Sequence, residues 1–294
     1  ADPRQSAKVT YPFFDILFGS LCAVIAGAHG WFDIREYLLG HHKWFLELGM
    51  FKAGIPADDT IARTISAIQP EQFQACFLKW MAAVHTLTQG ELIAIDGKTL
   101  RGSYNREDRS STIHMISAYA TANKLVLGQL KTDKKSNEIT AIPELLQLLD
   151  LQGALVSIDA MACQTKIAKT IIEQKGDYLL AVKGNQGNLS KAVQQAFSAL
   201  RNDASSLEAL QTEKQHGRIE SRLCQVLDAS TLEGNFSRWK GLKTLAMITS
   251  FRTEKGKPVS MEYRYYISSR IMSAEQVASA VREHWAIESM HWVL

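Results

Sequence analysis

Cysteine is scarce in this sequence and never clustered. Cys22, Cys76, Cys163 and Cys224 stand far apart, with no CxxC step between them. That argues against a zinc site of paired cysteines and against a disulfide framework, and it fits a reducing compartment. Long apolar runs are missing as well. The nearest, FFDILFGSLCAVIAGA at 13–28, is broken by Asp15 and does not reach the ~18 uninterrupted apolar residues of a membrane span. It also lacks the basic start of a signal peptide, so it reads as a buried helix, and no membrane partner is expected. Internal repeats and low-complexity linkers are absent. So is a strong excess of charge: 33 basic against 30 acidic residues leave +3, which alone says little about partners.

What is present is ordinary globular material. The 294 residues are 46% hydrophobic and 21% charged, enough for one large domain or a small one beside a larger one. The charge is unevenly placed. Residues 1–90 carry 7 Lys/Arg against 8 Asp/Glu, residues 97–135 carry 8 against 3, and residues 210–270 carry 11 against 6. Two basic blocks are what a bound polyanion would require, although solvated strand and loop faces would look the same.

Residues 12–88 have apolar spacing of three to four and predict an all-α domain, 1–88. In GIPADDTIARTISAI, Asp58 or Asp59 is the expected helix cap. Thr60 and Arg63 then stand near the start of a candidate recognition helix of helix-turn-helix type, with a plain helical interaction domain as the equal alternative. From Glu91 the period becomes strand-like. LIAID is a strand, IHMISAYA and LVLGQLK form an antiparallel hairpin, and 139–153, ALVSIDA, 165–175 and DYLLAVKG alternate helix and strand. A helix around 191–200 follows, then a strand-rich block at about 210–268. A helical tail, 273–294, is capped by Ser273. The predicted second domain, 89–294, is therefore a mixed α/β sheet flanked by helices, with an inserted β-rich subdomain.

One stretch, ELIAIDGKTLRGS at 91–103, invites two chemistries. Its GKT matches the end of a phosphate-binding loop, but that loop needs GxxxxGK[ST], and the residue five before Gly97 is Leu92. No glycine-rich turn exists there to aim amides at a phosphate. The other chemistry starts from Asp96, at the end of an apolar strand. Asp159 ends a second such strand, and neighbouring strands would bring the two carboxylates together. Paired anions at a buried edge call for a cation, and hard divalent ions take oxygen ligands. Against this, each Asp also suits a turn that follows a strand. For a third carboxylate the tail offers Glu288, between Trp285 and Trp292, which are expected to anchor the helix. Glu283 reads as a solvated charge.

Taken in order, IAIDGKTLRGS, KSNEITAIPELL, VSIDAMACQ, YLLAVKGNQGNL, HGRIESR and REHWAIESMHWVL closely resemble the H-repeat-associated transposases, a branch of the DDE insertion-sequence transposases. The resemblance runs from about Asp2 to Leu294 and includes DPRQ and GIPADDT in the helical region. It implies an RNase H-like catalytic domain with a β insertion and a triad of Asp96, Asp159 and Glu288. Implied too are two Mg²⁺ ions (Mn²⁺ substituting) roughly 3.5–4 Å apart, in-line phosphoryl transfer, and cutting and joining of double-stranded DNA at element ends and target. The expected setting is the bacterial cytoplasm and nucleoid, with a homodimer forming during synapsis.

Basic residues near these motifs are the expected DNA-backbone contacts: Lys98, Arg101, Lys183 before GNQGN, and His216, Arg218 and Arg222 alternating along one strand. The wider family places a Tyr and an Arg before the glutamate and a Lys seven residues after it. Here the first two positions are Val281 and His284, the latter expected to contact phosphate if protonated, and the Lys position falls at 295. Relatives also begin before Ala1 and continue past Leu294. A shortened or decayed copy acting as a non-catalytic DNA-binding regulator or relic is therefore the alternative expectation, with a metal-dependent nuclease as a third.

Overall fold

The computed structural model describes all residues except 1, 3, 5–8, 85–89, 101–102, 104–111, 133–137, 201–206, 216–217, 255–257 and 292–294. At 84, 200, 207–208, 214–215, 218 and 254 it describes the backbone alone. The chain divides into two units, Ala1–Phe77 and Leu78–Leu294. The division falls within helix α5 (Pro70–Val84), earlier than the change of period at residue 91 suggests.

In the first unit, α1 (Phe13–Ile25), α2 (Trp31–Gly40), α3 (His42–Glu47) and α4 (Asp58–Ser66) enclose Ile16, Leu38, Phe45, Phe51 and Ile61, all fully buried. Asp15, which interrupts the apolar run, is buried, and its Oδ2 accepts the backbone N–H of Phe51 at 2.7 Å. A buried carboxylate is tolerable only with such a partner. The expected caps at the start of α4 are corrected: Ala57 takes the cap position without a side-chain bond, and Asp58 and Asp59 lie in the first turn. There their charges still favour the helix dipole. Arg63 folds back onto the Asp59 carbonyl, 3.2 Å away.

The second unit is built on one nine-stranded sheet, ordered β3-β2-β1-β4-β5-β9-β8-β7-β6. Its central strand, β1 (Leu92–Thr99), is antiparallel to β2 (His114–Ala120) and parallel to β4 (Leu155–Ile158). The predicted hairpin of β2 with β3 (Leu125–Thr132) is present, and β5 (Asp177–Val182) runs parallel to β4. This 3-2-1-4-5 order, with three antiparallel strands and then two parallel ones, is the RNase H-like arrangement. Leu92, Ile93, Ala94 and Ile95 are all buried, as a strand covered on both faces requires. On one face α6 (Glu138–Gln147) packs against β2 and β3 and against α7 (Thr165–Glu173). α8 (Gly187–Leu200) follows β5.

The β-rich block is present and prolongs the same sheet. β9 (Ser260–Ser268) pairs with β5, and β8 (Thr244–Glu254), β7 (Arg218–Asp228) and β6 (Leu207–Gln215) follow outward. α9 (Ala274–His284) crosses β1, β4 and this extension, with Val277 fully buried among Leu92, Leu155, Leu179 and Ile248. Ser273 caps α9 in a reciprocal box with Gln276, a device worth about 1 kcal/mol. The tail is not one helix: it breaks at Trp285, and α10 (Ala286–His291) restarts beyond it. No helix of the described residues is long and apolar enough to cross a membrane.

Candidate active site

Side chains alternate across a strand, so residues two apart share a face. On β1, Leu92 packs with the α9 cluster and Ala94 with Ile287 of α10, which puts Asp96 under the same helices. On β4, Leu155 lies in the α9 cluster and Ser157 Oγ bonds His284 Nδ1 at 2.8 Å, so Asp159 follows onto that face too. Ile95 pairs with Ile158 in the parallel ladder, and the two aspartates stand one residue beyond them on adjacent strands. Strand spacing there is about 4.8 Å. In parallel sheets ligands bind outside the carboxyl ends of the strands, and Lys183, just after β5, occupies the third such end.

A cavity of about 260 Å³ opens at this edge, lined by Asp96, Asp159 and Glu288 together with Lys183, Arg264 and Trp285. Glu288 is exposed, on the first turn of α10. That helix is seated by Ile287, which is 1% exposed and packs on Ala94 and Tyr119. Trp285, expected as the helix anchor, is instead 42% exposed at the helix break, with the Arg264 guanidinium 5.4 Å over its ring. Trp292 lies outside the described residues. Among the described residues, no three His, Cys, Asp or Glu side chains are gathered as a ready metal cluster.

Burial pushes the Asp96 carboxyl up to about 6. The backbone N–H of Gly97 opposes that rise, and the negative charges of Asp159, Glu138 and Glu288 reinforce it. Asp159 Oδ1 accepts the N–H groups of Met161 and Ala162 at 3.1 and 3.4 Å, so it also shapes the turn that follows β4. His291, one turn after Glu288, is buried with Nδ1 3.5 Å from Asp96 Oδ2. Burial and then the nearby Lys98 charge push its pKa down, so it brings Asp96 little positive charge. The i, i+3 step from Glu288 to His291 was the available sequence signal for it.

His284, expected to contact phosphate if protonated, stands between α9 and β4. Burial pushes its pKa down to about 4, with Asp159 opposing, and it is hydrogen-bonded to Ser157. At neutral pH it is an uncharged tie between α9 and β4. Lys98 lies on β1 two residues past Asp96 and is half-buried; Lys183 is exposed. Arg222 is engaged by two glutamates, Glu213 at 3.5 Å and Glu220 at 3.0 Å. Arg101 and His216 lie outside the described residues, as does the side chain of Arg218. The GKT of 97–99 continues β1 and pairs with Ile116, Met115 and His114 of β2, so it is strand and not loop.

Residues 87–294 match the family model described as "Transposase DDE domain", and residues 1–81 match "DDE_Tnp_1-associated". The chain is 48% identical over 300 residues to "H repeat-associated putative transposase YhhI" of Escherichia coli strain K12, spanning all of this chain and 79% of that one. It is 49% identical over 304 residues to "Putative transposase YncI" of Escherichia coli O157:H7, 76% of whose length is covered. Among solved structures, a piggyBac transposase synaptic complex with hairpin DNA aligns over 98% of this chain and 61% of its own, at 12% identity and a TM-score of 0.45.

Proposed function

The chain belongs to the DDE transposases, and from that membership we propose that it cuts and joins DNA at mobile-element ends, with Asp96, Asp159 and Glu288 as its catalytic carboxylates. The observation that carries this reading is the placement of Asp96 and Asp159 side by side at the carboxyl edge of β1 and β4, with Glu288 on the same cavity. The donor set suits a divalent cation. It offers hard carboxylate oxygens, and the charges of Asp159 and Glu288 already raise the Asp96 pKa, a repulsion that a cation would relieve. Mg²⁺, with Mn²⁺ as substitute and two ions per site, is the proposed cofactor. When bound it would supply Lewis acidity at a phosphodiester and acidify water.

The chain's own residues do the rest. Asp96, with a carboxyl near 6, is mostly ionised at neutral pH and ready as a ligand. Ile287 holds α10, and so Glu288, against β1. Uncharged His284 locks α9 to β4 through Ser157. Lys98 near the end of β1 and Lys183 just after β5, on either side of β4, draw the phosphate backbone toward the edge. Element ends and target duplex are the proposed DNA partners, with two chains engaged at synapsis.

A cleavage and strand-transfer assay on the element's ends with Mg²⁺ or Mn²⁺ tests this, and unchanged nicking by Asp96→Asn would sink it. The exposure of Glu288 favours a second reading, a DNA-binding protein without catalysis. That protein would bind DNA in a salt-sensitive way and form no metal-dependent product. Cleavage without end joining would instead mark a nuclease.

A further inference from the structure

The face of β1 opposite the cavity holds a second buried group of polar side chains. Gly97, next to Asp96, turns to that face. His114, 2% exposed, stands opposite Thr99 on β2, and its Nδ1 shares a hydrogen bond with Thr99 Oγ1 at 2.9 Å. Its Nε2 lies 2.5 Å from Oε1 of Glu138, which is 4% exposed in the first turn of α6. Both side chains press on Gly97. A Cβ built there would overlap the Glu138 carboxylate and come within 2.8 Å of His114 Nε2. A side chain at 97 would therefore displace the Glu138 carboxylate, and since Gly97 is not among the residues with positive φ it is this close approach that favours glycine there.

We infer that Glu138 and His114 form a positioning pair for Asp96, clamping the backbone at Gly97 from behind the sheet and so fixing where Asp96 leaves β1. This rests on the reading of Asp96 as a metal-binding carboxylate. Neither residue lines the cavity, so neither is a catalytic residue. The pair does three things there. It sets the β1–β2 ladder at Thr99 and His114, it occupies the space that would let Gly97 shift, and it adds a negative charge that acts on Asp96. Groups that orient a metal ligand commonly change metal affinity about 10- to 100-fold when removed. The KSNEITAIPELL motif containing Glu138 thereby acquires a role beyond that of a helix start.

The test measures Mn²⁺ binding by the full chain, using the electron paramagnetic resonance of free ion, beside thermal unfolding and DNA binding in EDTA. Glu138→Ala should weaken Mn²⁺ about 10-fold and leave DNA binding in EDTA unchanged. Glu138→Gln, which restores the volume and an acceptor for His114, should recover most of that loss. A Glu138→Ala protein that melts earlier yet binds Mn²⁺ as the unaltered chain does would make the pair merely structural and overturn the inference. Should Glu138→Ala fail to fold, Thr99→Val decides. It removes one hydrogen bond to His114 and should weaken Mn²⁺ about threefold, and unaltered binding would overturn the inference. Asp96→Asn separates the two failures. If Asp96→Asn binds Mn²⁺ normally, or the unaltered chain binds none, the site reading falls and takes the pair with it. If Asp96→Asn loses Mn²⁺ while the Glu138 and Thr99 variants keep it, only the positioning role falls.

Discussion

The carboxyl edge of β1 and β4 and the groove over the β extension hold charge in opposite ways. At the edge, Asp96 has three carboxylates acting on it, and among the described residues the basic side chain within 4 Å of it is His291, whose pKa is pushed down. Among the described residues, Asp159 and Glu288 form no ion pair with Lys or Arg. The groove, another cavity of about 260 Å³, contains Arg222, Arg252, Arg264 and Arg282. Each has a glutamate within 4 Å: Glu213 for Arg222 and Arg282, Glu220 for Arg222 and Arg252, and Glu262 for Arg264. The two cavities share Glu262, Arg264, Tyr266, Val281 and Trp285. Charge left uncompensated by the protein awaits a charge from outside, whereas matched pairs need a competitor to open them.

The sharpest way to break the contrast is Asp96→Asn. Under the proposed reading it should reduce metal-dependent cleavage to background, of order 10³-fold, as loss of a central transition-state group does. It should also remove the Mn²⁺-induced rise in melting temperature. An isosteric amide with undiminished cleavage would show that the uncompensated edge is a structural accident.

Next in size is the seat of α10. Ile287→Ala empties a site that is 1% exposed against Ala94 and Tyr119 and should cost about 2–4 kcal/mol. Because it loosens the helix that carries Glu288, denaturant midpoint and cleavage should fall together. Cleavage that survives the destabilisation would argue against Glu288 as a ligand.

The edge also predicts two opposing pH dependences. Asp96 is raised from 3.8 to about 6, so its contribution to stability is full below about pH 4 and is lost as pH rises through 6. His284 is lowered from 6.5 to about 4, so its contribution is full above about 6.5 and is lost as pH falls through 4. From pH 7 to 5 the first gains about 1 kcal/mol and the second loses about 2, so the loss outweighs the gain. Relative to the unaltered chain without metal, Asp96→Asn should therefore lose about 1 kcal/mol more over that interval. His284→Gln should do better by about 2. Urea titrations at the two pH values measure both, and parallel curves for all three proteins would refute the assignment.

Much of this was legible in the sequence because it is local. An apolar strand leading into Asp is visible in LIAID and in VSIDA, although β1 runs on past Asp96 to Thr99, and Ser273 three residues before Gln276 announces its own cap. The β block was visible as composition, but its junction with the core through β9 and β5 was not, because strand pairing is set by partners far apart in sequence. The break at Trp285 was hidden for a related reason: the helical period of 273–291 continues through it, and Ile287, not the tryptophan, meets β1. Glu138 and His114 read as an ordinary helix start and a strand residue until the β1–β2 register placed Thr99 opposite His114 and left Gly97 beneath the carboxylate.

The smallest effect lies in the groove. Glu213 serves two arginines, Arg222 at 3.5 Å and Arg282 at 2.9 Å, and its side chain is 35% exposed. Pairs this exposed contribute under about 1 kcal/mol, so Glu213→Gln should barely move the melting temperature. It should instead leave two guanidiniums uncompensated beside the proposed DNA path. If the groove takes a phosphate backbone, duplex binding should tighten at low salt, and the slope of log affinity against log salt should steepen by about one for each new phosphate contact. Fluorescence anisotropy between 50 and 200 mM salt resolves that change. An unchanged slope would mean that these arginines hold α9 to the β extension and do not meet DNA, leaving Lys98 and Lys183, among the described residues, as the proposed backbone contacts.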